Sequence, residues 1–401
     1  MTSQDPRPDA IRVVVIGAGY AGMIATNRFL GSLTKDEKQR TTLTVVNPRS
    51  VFVERIRLHE LAARSRDTVT TPLSCLLHPD AVTITGRVRL VRSGARTVRI
   101  TTATDEFDLP YDYLIYAVGS VAAASIPGAV QHGFLLGDFE GAGAAADAIE
   151  VAGPNPRIAV VGGGFTAVET ASELAAQHAD AQVTLYSAGQ LVADMRPAAR
   201  GSLSKTLHRL GVHIAEDSAV SQIEAGKLHL ATGQVHAFDV CILAASFDVP
   251  DLAAISGLPV DPSGRMKVDE HLRCLGEPSV IGAGDAIVAP AAVAAHLRMG
   301  CAAAVPLGAQ AADTLLATIR GTALPVLSVG FVIQCISLGR KSGYIQVVRA
   351  DDTPRALHVG GRAGAAIKER ICRMVADAPK KERTSPGKYS WPKGPSRKRA
   401  T

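Results

Sequence analysis

The chain has 401 residues, is 47% hydrophobic and carries a formal net charge of +6 at pH 7. That length and apolar content exclude a disordered chain and give room for two or three domains with cores of their own. The charge is uneven: residues 379–401 hold eight cations against one acid, Glu382, so the rest is close to neutral and no nucleic-acid partner is expected.

Aromatic residues make up only 4% of the chain, while Gly and Ala are abundant, which favours an α/β protein with close helix–sheet contacts. Cys75, Cys241, Cys274, Cys301, Cys335 and Cys372 show no CxxC and no metal-type spacing, so they are expected to be small buried residues, with no metal site. Met1 to Ala10 is polar and proline-bearing, unlike a secretory signal, and no run reaches 18 uncharged apolar residues. A cytoplasmic protein is expected, with room for peripheral contact at the inner face of a membrane.

The first element is the apolar run Ile11 to Ile16, followed by Gly17-Ala18-Gly19-Tyr20-Ala21-Gly22 and a helix over Ala21 to Leu33. A buried strand, a glycine turn and a helix aim backbone N–H groups and the positive helix end at a pyrophosphate. Gly17 permits the bend, Gly19 lets the backbone approach phosphate, and Gly22 lets the helix pack on the strand. The second strand, Leu43 to Val46, ends at Asn47, where an acid usually binds ribose hydroxyls; Asn can still do so with less charge assistance. Residues 82–116 alternate in the manner of short antiparallel strands, and Tyr113 to Ala117 returns to a buried strand ending at Val118-Gly119-Ser120.

Gly153-Pro154-Asn155-Pro156 reads as a linker, after which the pattern restarts. Ile158 to Val161 is a strand, Gly162-Gly163-Gly164-Phe165-Thr166-Ala167 a second turn, Thr166 to Gln177 a helix and Val183 to Tyr186 a strand. Two such turns imply two dinucleotides and a hydride passed between them. No acid stands at the second strand tip, Tyr186-Ser187-Ala188-Gly189, so both NADH and NADPH remain open, with weak discrimination expected. Short strands cover roughly 212–245, the chain returns to the first unit around 262–290, and 291–319 reads as an alanine-rich helix. Residues 325–375 form a third region with strand-like runs at 329–333 and 343–348.

Val280-Ile281-Gly282-Ala283-Gly284-Asp285 runs an apolar strand into a Gly-Asp pair. With both turns and the Tyr111 to Ser120 segment, the chain resembles the two-dinucleotide flavoproteins of the pyridine nucleotide-disulfide oxidoreductase superfamily. The resemblance spans roughly residues 11–320. It implies two Rossmann-like domains, the second inserted in the first: 1–150 and 262–323 for FAD, 151–261 for NAD(P)H. Beyond them follow a C-terminal region 324–378 and, from its charge and Pro/Gly/Ser content, an expected basic disordered tail 379–401. The resemblance assigns Asp285, with Gly284, to the ribitol of FAD. No close cysteine pair is present, so disulfide exchange is not expected. Gly162 to Glu169 resembles the second turn of type II NADH dehydrogenases and apoptosis-inducing-factor-like quinone reductases.

That resemblance implies an NAD(P)H oxidoreductase passing electrons through FAD to a quinone, with a homodimer compatible with it. A soluble reductase of a ferredoxin or other protein, or a slow redox sensor, is the alternative. It places Glu169 near nicotinamide and flavin, although a helix-dipole acid is an equal reading. The family's topology, carried over by the resemblance, implies that Val53 to Leu61 lies near the isoalloxazine, making Arg57 and His59 candidate partners for charge on the reduced flavin, or else a solvated helix face. Ala295 to Cys301 departs from the quinone-site pattern of that family.

Overall fold

A computed structural model describes residues 10–395. Its first sheet has six strands. Ile11–Ile16 lies at the centre, parallel to Thr41–Asn47 on one side and Tyr113–Tyr116 on the other. Ala81–Thr85 extends the sheet beyond Thr41–Asn47, Glu277–Gly282 beyond Tyr113–Tyr116, and Arg273–Cys274 closes the far edge antiparallel. Val13, Val14 and Val15 are at most 1% exposed, as expected of a strand covered on both faces, where β-branched side chains pack well.

The second sheet has five parallel strands in the order Phe134–Leu135, Val240–Leu243, Arg157–Val161, Gln182–Tyr186 and His213–Ala215. The two sheets thus repeat one strand–turn–helix plan, and Glu277–Gly282 rejoins the first only after the second is complete. The second unit opens earlier than the boundary at 151: its edge strand is Phe134–Leu135, and the helix Phe139–Val151 packs into its core through Ala142, Ala145 and Ile149. The two chain crossings between the units pair with each other, Val121–Ala122 running antiparallel to Phe247–Asp248. Of the antiparallel strands expected at 82–116 and 212–245, Ala81–Thr85 instead runs parallel in the first sheet; the others form three-stranded antiparallel sheets, Arg87–Arg92 with Thr97–Thr101 and Glu106–Pro110, and Val220–Glu224 with Lys227–Leu230 and Val235–Ala237.

The expected helix at 291–319 is two helices, Ala291–Ala294 and Cys301–Arg320, separated at Gly300, whose φ of +138° no helix accommodates. The longer one is apolar and long enough to cross a membrane, but 78% of its most apolar window is buried. It crosses the first turn's helix, Tyr20–Ser32, so closely that a Cβ on Gly308 would stand 2.2 Å from the Ala21 carbonyl oxygen. The third region is an antiparallel sheet, Ile333–Ser337, Gly343–Val348 and Pro354–Gly360, followed by a 24-residue helix, Gly361–Thr384. The strand expected at 329–333 is an extended approach to Ile333–Ser337.

The expected disordered tail is folded as far as the structure describes it. Residues 379–384 complete the last helix, with Pro379 and Glu382 buried. Glu382 accepts the Gly387 and Tyr389 N–H groups, Tyr389 and Trp391 stack with centroids 5.9 Å apart, and Trp391 Nε1 donates to the Ser328 carbonyl at 2.9 Å. A net charge says nothing about such anchors: one carboxylate and two aromatic rings order a segment whose lysines stay at the surface. Arg397, Lys398 and Arg399 lie outside the described residues.

Candidate active site

Both turn helices begin on a glycine, Gly19 and Gly164, with no side-chain cap and no acid in the first turn. The helix Lys35–Arg40 shows what the same chain does elsewhere: Thr34 and Glu37 form a full capping box. The free N–H groups of the two turn helices therefore leave room for an anionic ligand group. A Cβ on Gly19, Gly119 or Gly164 would meet nothing within 4 Å, so these glycines border open space. Gly17 (φ +98°) and Gly162 (φ +145°) are required by conformation and by the Ala117 and Ala244 carbonyls beneath them.

At the first turn, Asn47 Oδ1 accepts the Ala18 N–H at 2.9 Å and Nδ2 donates to the Arg49 carbonyl at 2.7 Å. Asn47 thus ties the glycine turn to its own strand tip, a duty an acid could share only in part. Gly22 packs so tightly that a Cβ would lie 1.9 Å from the Gly17 carbonyl oxygen. Tyr20 is buried against Phe52, its hydroxyl without a protein partner. Asp285 accepts Ser120 Oγ at 2.9 Å and the Gly300 N–H at 2.8 Å, which gathers the Gly119 loop and the start of the long helix around one carboxylate. Arg55 joins them, donating to the Ser120 carbonyl at 2.5 Å, while its Nη2 is buried and unpartnered. An orphaned guanidinium N–H, an orphaned tyrosine hydroxyl and a glycine-edged opening are what an FAD would fill. Nothing in the sequence marked Arg55 over its neighbours.

At the second turn, Ser187 is 3% exposed, and its Oγ would be 2.3 Å from a Cβ on Gly163, so the hydroxyl sits directly beneath the turn. Ala167, at the place of Gly22, is buried in the core without conflict. Phe165 and Thr166 open the helix, and Thr166 accepts Thr170 Oγ1 at 2.6 Å through its carbonyl.

Arg57, His59 and Glu169 come together, but in a buried ion-pair cluster. Arg57 donates to Glu54 at 3.0 Å, Glu60 at 2.9 Å and Glu369 at 2.9 and 3.0 Å. Three carboxylates occupy its guanidinium, so of the two nearby arginines it is Arg55 that keeps an unpaired N–H beside the Gly119 loop. Arg340 bridges Glu60 and Glu173, both at 2.9 Å. Glu169 Oε1 accepts the Ser337 N–H at 2.9 Å and pairs with Lys368 Nζ at 2.9 Å. Burial pushes Lys368 down, but the Glu169 charge outweighs it and holds the ammonium well above the ordinary lysine range. Burial likewise pushes Glu169 up, and Lys368, with the Ser337 N–H, outweighs it, so the pair is ionised. His59 is buried with Nε2 unpartnered, and burial lowers its pKa. A polar cavity of about 250 Å³ opens beside the pair, lined by Glu60, Arg66, Ser337, Lys368, Glu369 and Cys372.

Lys368 and Ser337 lie far from Glu169 in the chain, and no motif pointed to them. The Ala295–Cys301 segment, which departs from the quinone-site pattern, is taken up by the third region: His296 Nε2 meets the Val329 carbonyl at 2.7 Å, and Arg298 pairs with Asp352 and lies 4.5 Å over the Phe331 ring. All six cysteines are free. Burial raises the Cys241, Cys274 and Cys372 thiols to about 12 and Cys301 to about 11, as befits unreactive thiols, while Cys75 is exposed.

Residues 11–300 match the family model described as pyridine nucleotide-disulphide oxidoreductase. An NADH dehydrogenase-like protein of Mycobacterium tuberculosis is 27% identical over 351 residues, covering 82% of this chain and 86% of the relative. The demethylphylloquinone reductase of Synechocystis is 23% identical over 300 residues, covering 70% and 72%. Among solved structures, NDH2 of Plasmodium falciparum in complex with NADH has a TM-score of 0.75 at 14% identity, covering 94% and 99%. The sulfide:quinone oxidoreductase of Aquifex aeolicus also reaches 0.75, at 17% identity, covering 92% of each chain. The last two establish the fold shared with two-domain flavoprotein reductases.

Proposed function

Because this chain belongs to the pyridine nucleotide-disulphide oxidoreductase family, with FAD and NAD(P)H as its cofactors, we propose that it is an NAD(P)H dehydrogenase delivering electrons to a quinone. The observation that carries this reading is the pair of uncapped glycine turns on two sheets, with an ionised Glu169–Lys368 pair buried between them and the C-terminal helix. The first turn holds the FAD pyrophosphate through free N–H groups, and Asp285 holds the ribitol. Arg55 offers its unpartnered Nη2–H to the flavin. The second turn, with Ser187 beneath it, holds NAD(P)H. Bound FAD supplies the chemistry, accepting hydride from the nicotinamide and releasing electrons to the acceptor; the protein supplies orientation and electrostatics.

Quinone reduction consumes protons, and Lys368, kept charged by Glu169, is a donor within the cluster. The quinone assignment draws on the demethylphylloquinone reductase relative and on the wide sequence spacing of the cysteines, with no CxxC or other close pair along the chain, which speaks against disulfide exchange. The test is a visible spectrum of purified protein, then anaerobic titration with NADH and with a soluble quinone. The expected result is a flavin spectrum that bleaches with NADH and returns with quinone. Protein that stays colourless after reconstitution with FAD overturns the reading. Bleaching that returns with reduced-ferredoxin formation and not with quinone moves the acceptor to a protein.

A further inference from the structure

We propose that Glu216 supplies, from the neighbouring strand, the negative charge that the second strand tip lacks, and so biases the nicotinamide site toward NADH over NADPH. This rests on the second turn holding NAD(P)H, as read above, and is independent of the electron acceptor. In sheets of this kind the nucleotide lies outside the carboxyl ends of the strands, and an acid at the tip of the second strand is what takes the ribose hydroxyls. That tip here is Ser187, uncharged and 3% exposed. A carboxylate reaches the same place from the next strand.

Gln182–Tyr186 runs parallel to His213–Ala215 with Tyr186 opposite Ala215, so both strands end on one side of the sheet. Neighbouring strands lie about 4.8 Å apart, and Glu216 is the first residue past Ala215. The two tips are laced together. The Ser187 N–H donates to the Ala215 carbonyl at 2.9 Å, and the Ser218 N–H donates to the Ser187 carbonyl at 2.7 Å, with Glu216 between those bonds. The Glu216 side chain reaches the loop that follows Ser187, where its Oε1 accepts the Leu191 N–H at 2.7 Å. That loop in turn rests on the glycine turn. The Val192 N–H donates to the Gly163 carbonyl at 2.8 Å, and a Cβ on Gly163 would stand 2.3 Å from Ser187 Oγ and 3.8 Å from the Gln190 carbonyl oxygen. Glu216 is therefore fixed by hydrogen bonds to the loop that walls the turn, although it lies 29 residues beyond Ser187 in the chain.

The bond to Leu191 engages one carboxylate oxygen and leaves the charge uncompensated. Among the described residues no Lys or Arg pairs with Glu216, which is exposed, whereas Glu60, Glu169 and Glu173 are each matched to a cation. Asp217 follows, also exposed and held at φ +53°, so the tip Glu216-Asp217-Ser218-Ala219 carries two acids and no cation. A 2′-phosphate arriving beside it adds like charge, and a 2′-hydroxyl adds none. Water and salt screen an exposed carboxylate, so the bias is partial and stays inside a thousandfold. The weak discrimination expected from an uncharged Ser187 thus acquires a direction.

The test is equilibrium binding of NAD⁺ and NADP⁺ to the oxidised, flavin-loaded protein by calorimetry, a readout independent of turnover. It compares wild type with Glu216→Gln, Glu216→Ala and Asp36→Asn. Glutamine keeps an oxygen for the Leu191 N–H and removes the charge; alanine removes both. Asp36→Asn removes one exposed charge from the first unit, in the helix Lys35–Arg40. Wild type is expected to bind NAD⁺ about tenfold more tightly than NADP⁺, and both Glu216 variants to move that ratio about tenfold toward NADP⁺. Asp36→Asn should leave it in place. Raising salt from about 0.05 to about 0.5 M should narrow the wild-type gap and barely move that of Glu216→Gln. The kcat/KM ratio for flavin bleaching by NADH and NADPH should shift in parallel. A wild-type ratio favouring NADP⁺ overturns the proposal and turns attention to a cation, Arg196 being the nearest in sequence. A Glu216→Gln ratio within about twofold of wild type overturns it too, since Glu216 then only braces the loop. Equal shifts in Glu216→Gln and Asp36→Asn overturn it as well, because total charge and not its place is then acting. If neither nucleotide binds and neither reduced form bleaches the flavin, the NAD(P)H assignment of the second turn falls, and the role of Glu216 with it.

Discussion

The two glycine turns give the same backbone answer with different side chains. Superimposed from Gly17 on Gly162, an offset of 145 residues, Gly22 falls on Ala167, Ile24 on Glu169, Asn27 on Ser172 and Arg28 on Glu173. In the first half, Arg28 meets Glu382 at 3.1 Å and Asp313 at 2.7 Å, and Asn27 donates to the Pro379 carbonyl at 2.7 Å. In the second, Glu169 meets Lys368 and Glu173 meets Arg340, each at 2.9 Å, and Ser172 Oγ donates to the Ser337 carbonyl at 3.3 Å. The same helix faces receive the C-terminal region in both halves, with the sign of the charges reversed. A repeated fold has thus been given opposite polarity at its docking surface, which fixes which end of the last helix meets which half.

The largest break in this comparison comes from unpairing one contact. Lys368→Met leaves Glu169 buried and ionised, and we expect about 3–5 kcal/mol lost in denaturant unfolding, with most of it regained in the double variant Lys368→Met/Glu169→Gln. Next in size, Gly22→Ala forces a methyl into the Gly17 carbonyl and should cost about 3 kcal/mol together with flavin retention, read from the absorbance of the purified protein. Its counterpart Ala167→Gly should cost only about 1 kcal/mol and keep the flavin. Equal costs at the two sites would erase the asymmetry between the turns.

A smaller effect tests the second strand tip. With no acid at Ser187, wild-type kcat/KM for NADH and NADPH should agree within about a thousandfold, roughly 4 kcal/mol. Ser187→Glu should move that ratio toward NADH by about tenfold or more, because the carboxylate repels a 2′-phosphate. The smallest effect is on acid stability. Arg57 and Arg373 outweigh the burial penalty on Glu369 and hold its carboxyl at about 2. The stabilisation is therefore complete above the ordinary carboxyl range and is lost as pH falls toward 2. Glu369→Gln should flatten the fall of Tm across that interval and leave Tm near pH 7 lower than wild type.

The sheets, both glycine turns and the return of Glu277–Gly282 to the first sheet were legible because each is written within a few neighbouring residues: buried β-branched runs and glycines at fixed steps. The ion-pair cluster was not, since Glu60, Glu169, Arg340 and Lys368 come from four separate elements and only the tertiary packing assembles them. Arg55 and Arg57 show the limit most sharply. Two residues apart in a short 3₁₀ turn, they point to different places, Arg55 to the Ser120 carbonyl and Arg57 to Glu369, and charge alone cannot tell which goes where. The tail was misjudged by composition, because Glu382, Tyr389 and Trp391 order it while its lysines dominate the count.

The two crossings between the halves are zipped to one another through Val121–Ala122 and Phe247–Asp248, leaving neither strand of the connection free to twist on its own. With the last helix touching both halves as well, a substitution in either crossing is felt by the other, since each crossing is hydrogen-bonded to its partner rather than to solvent.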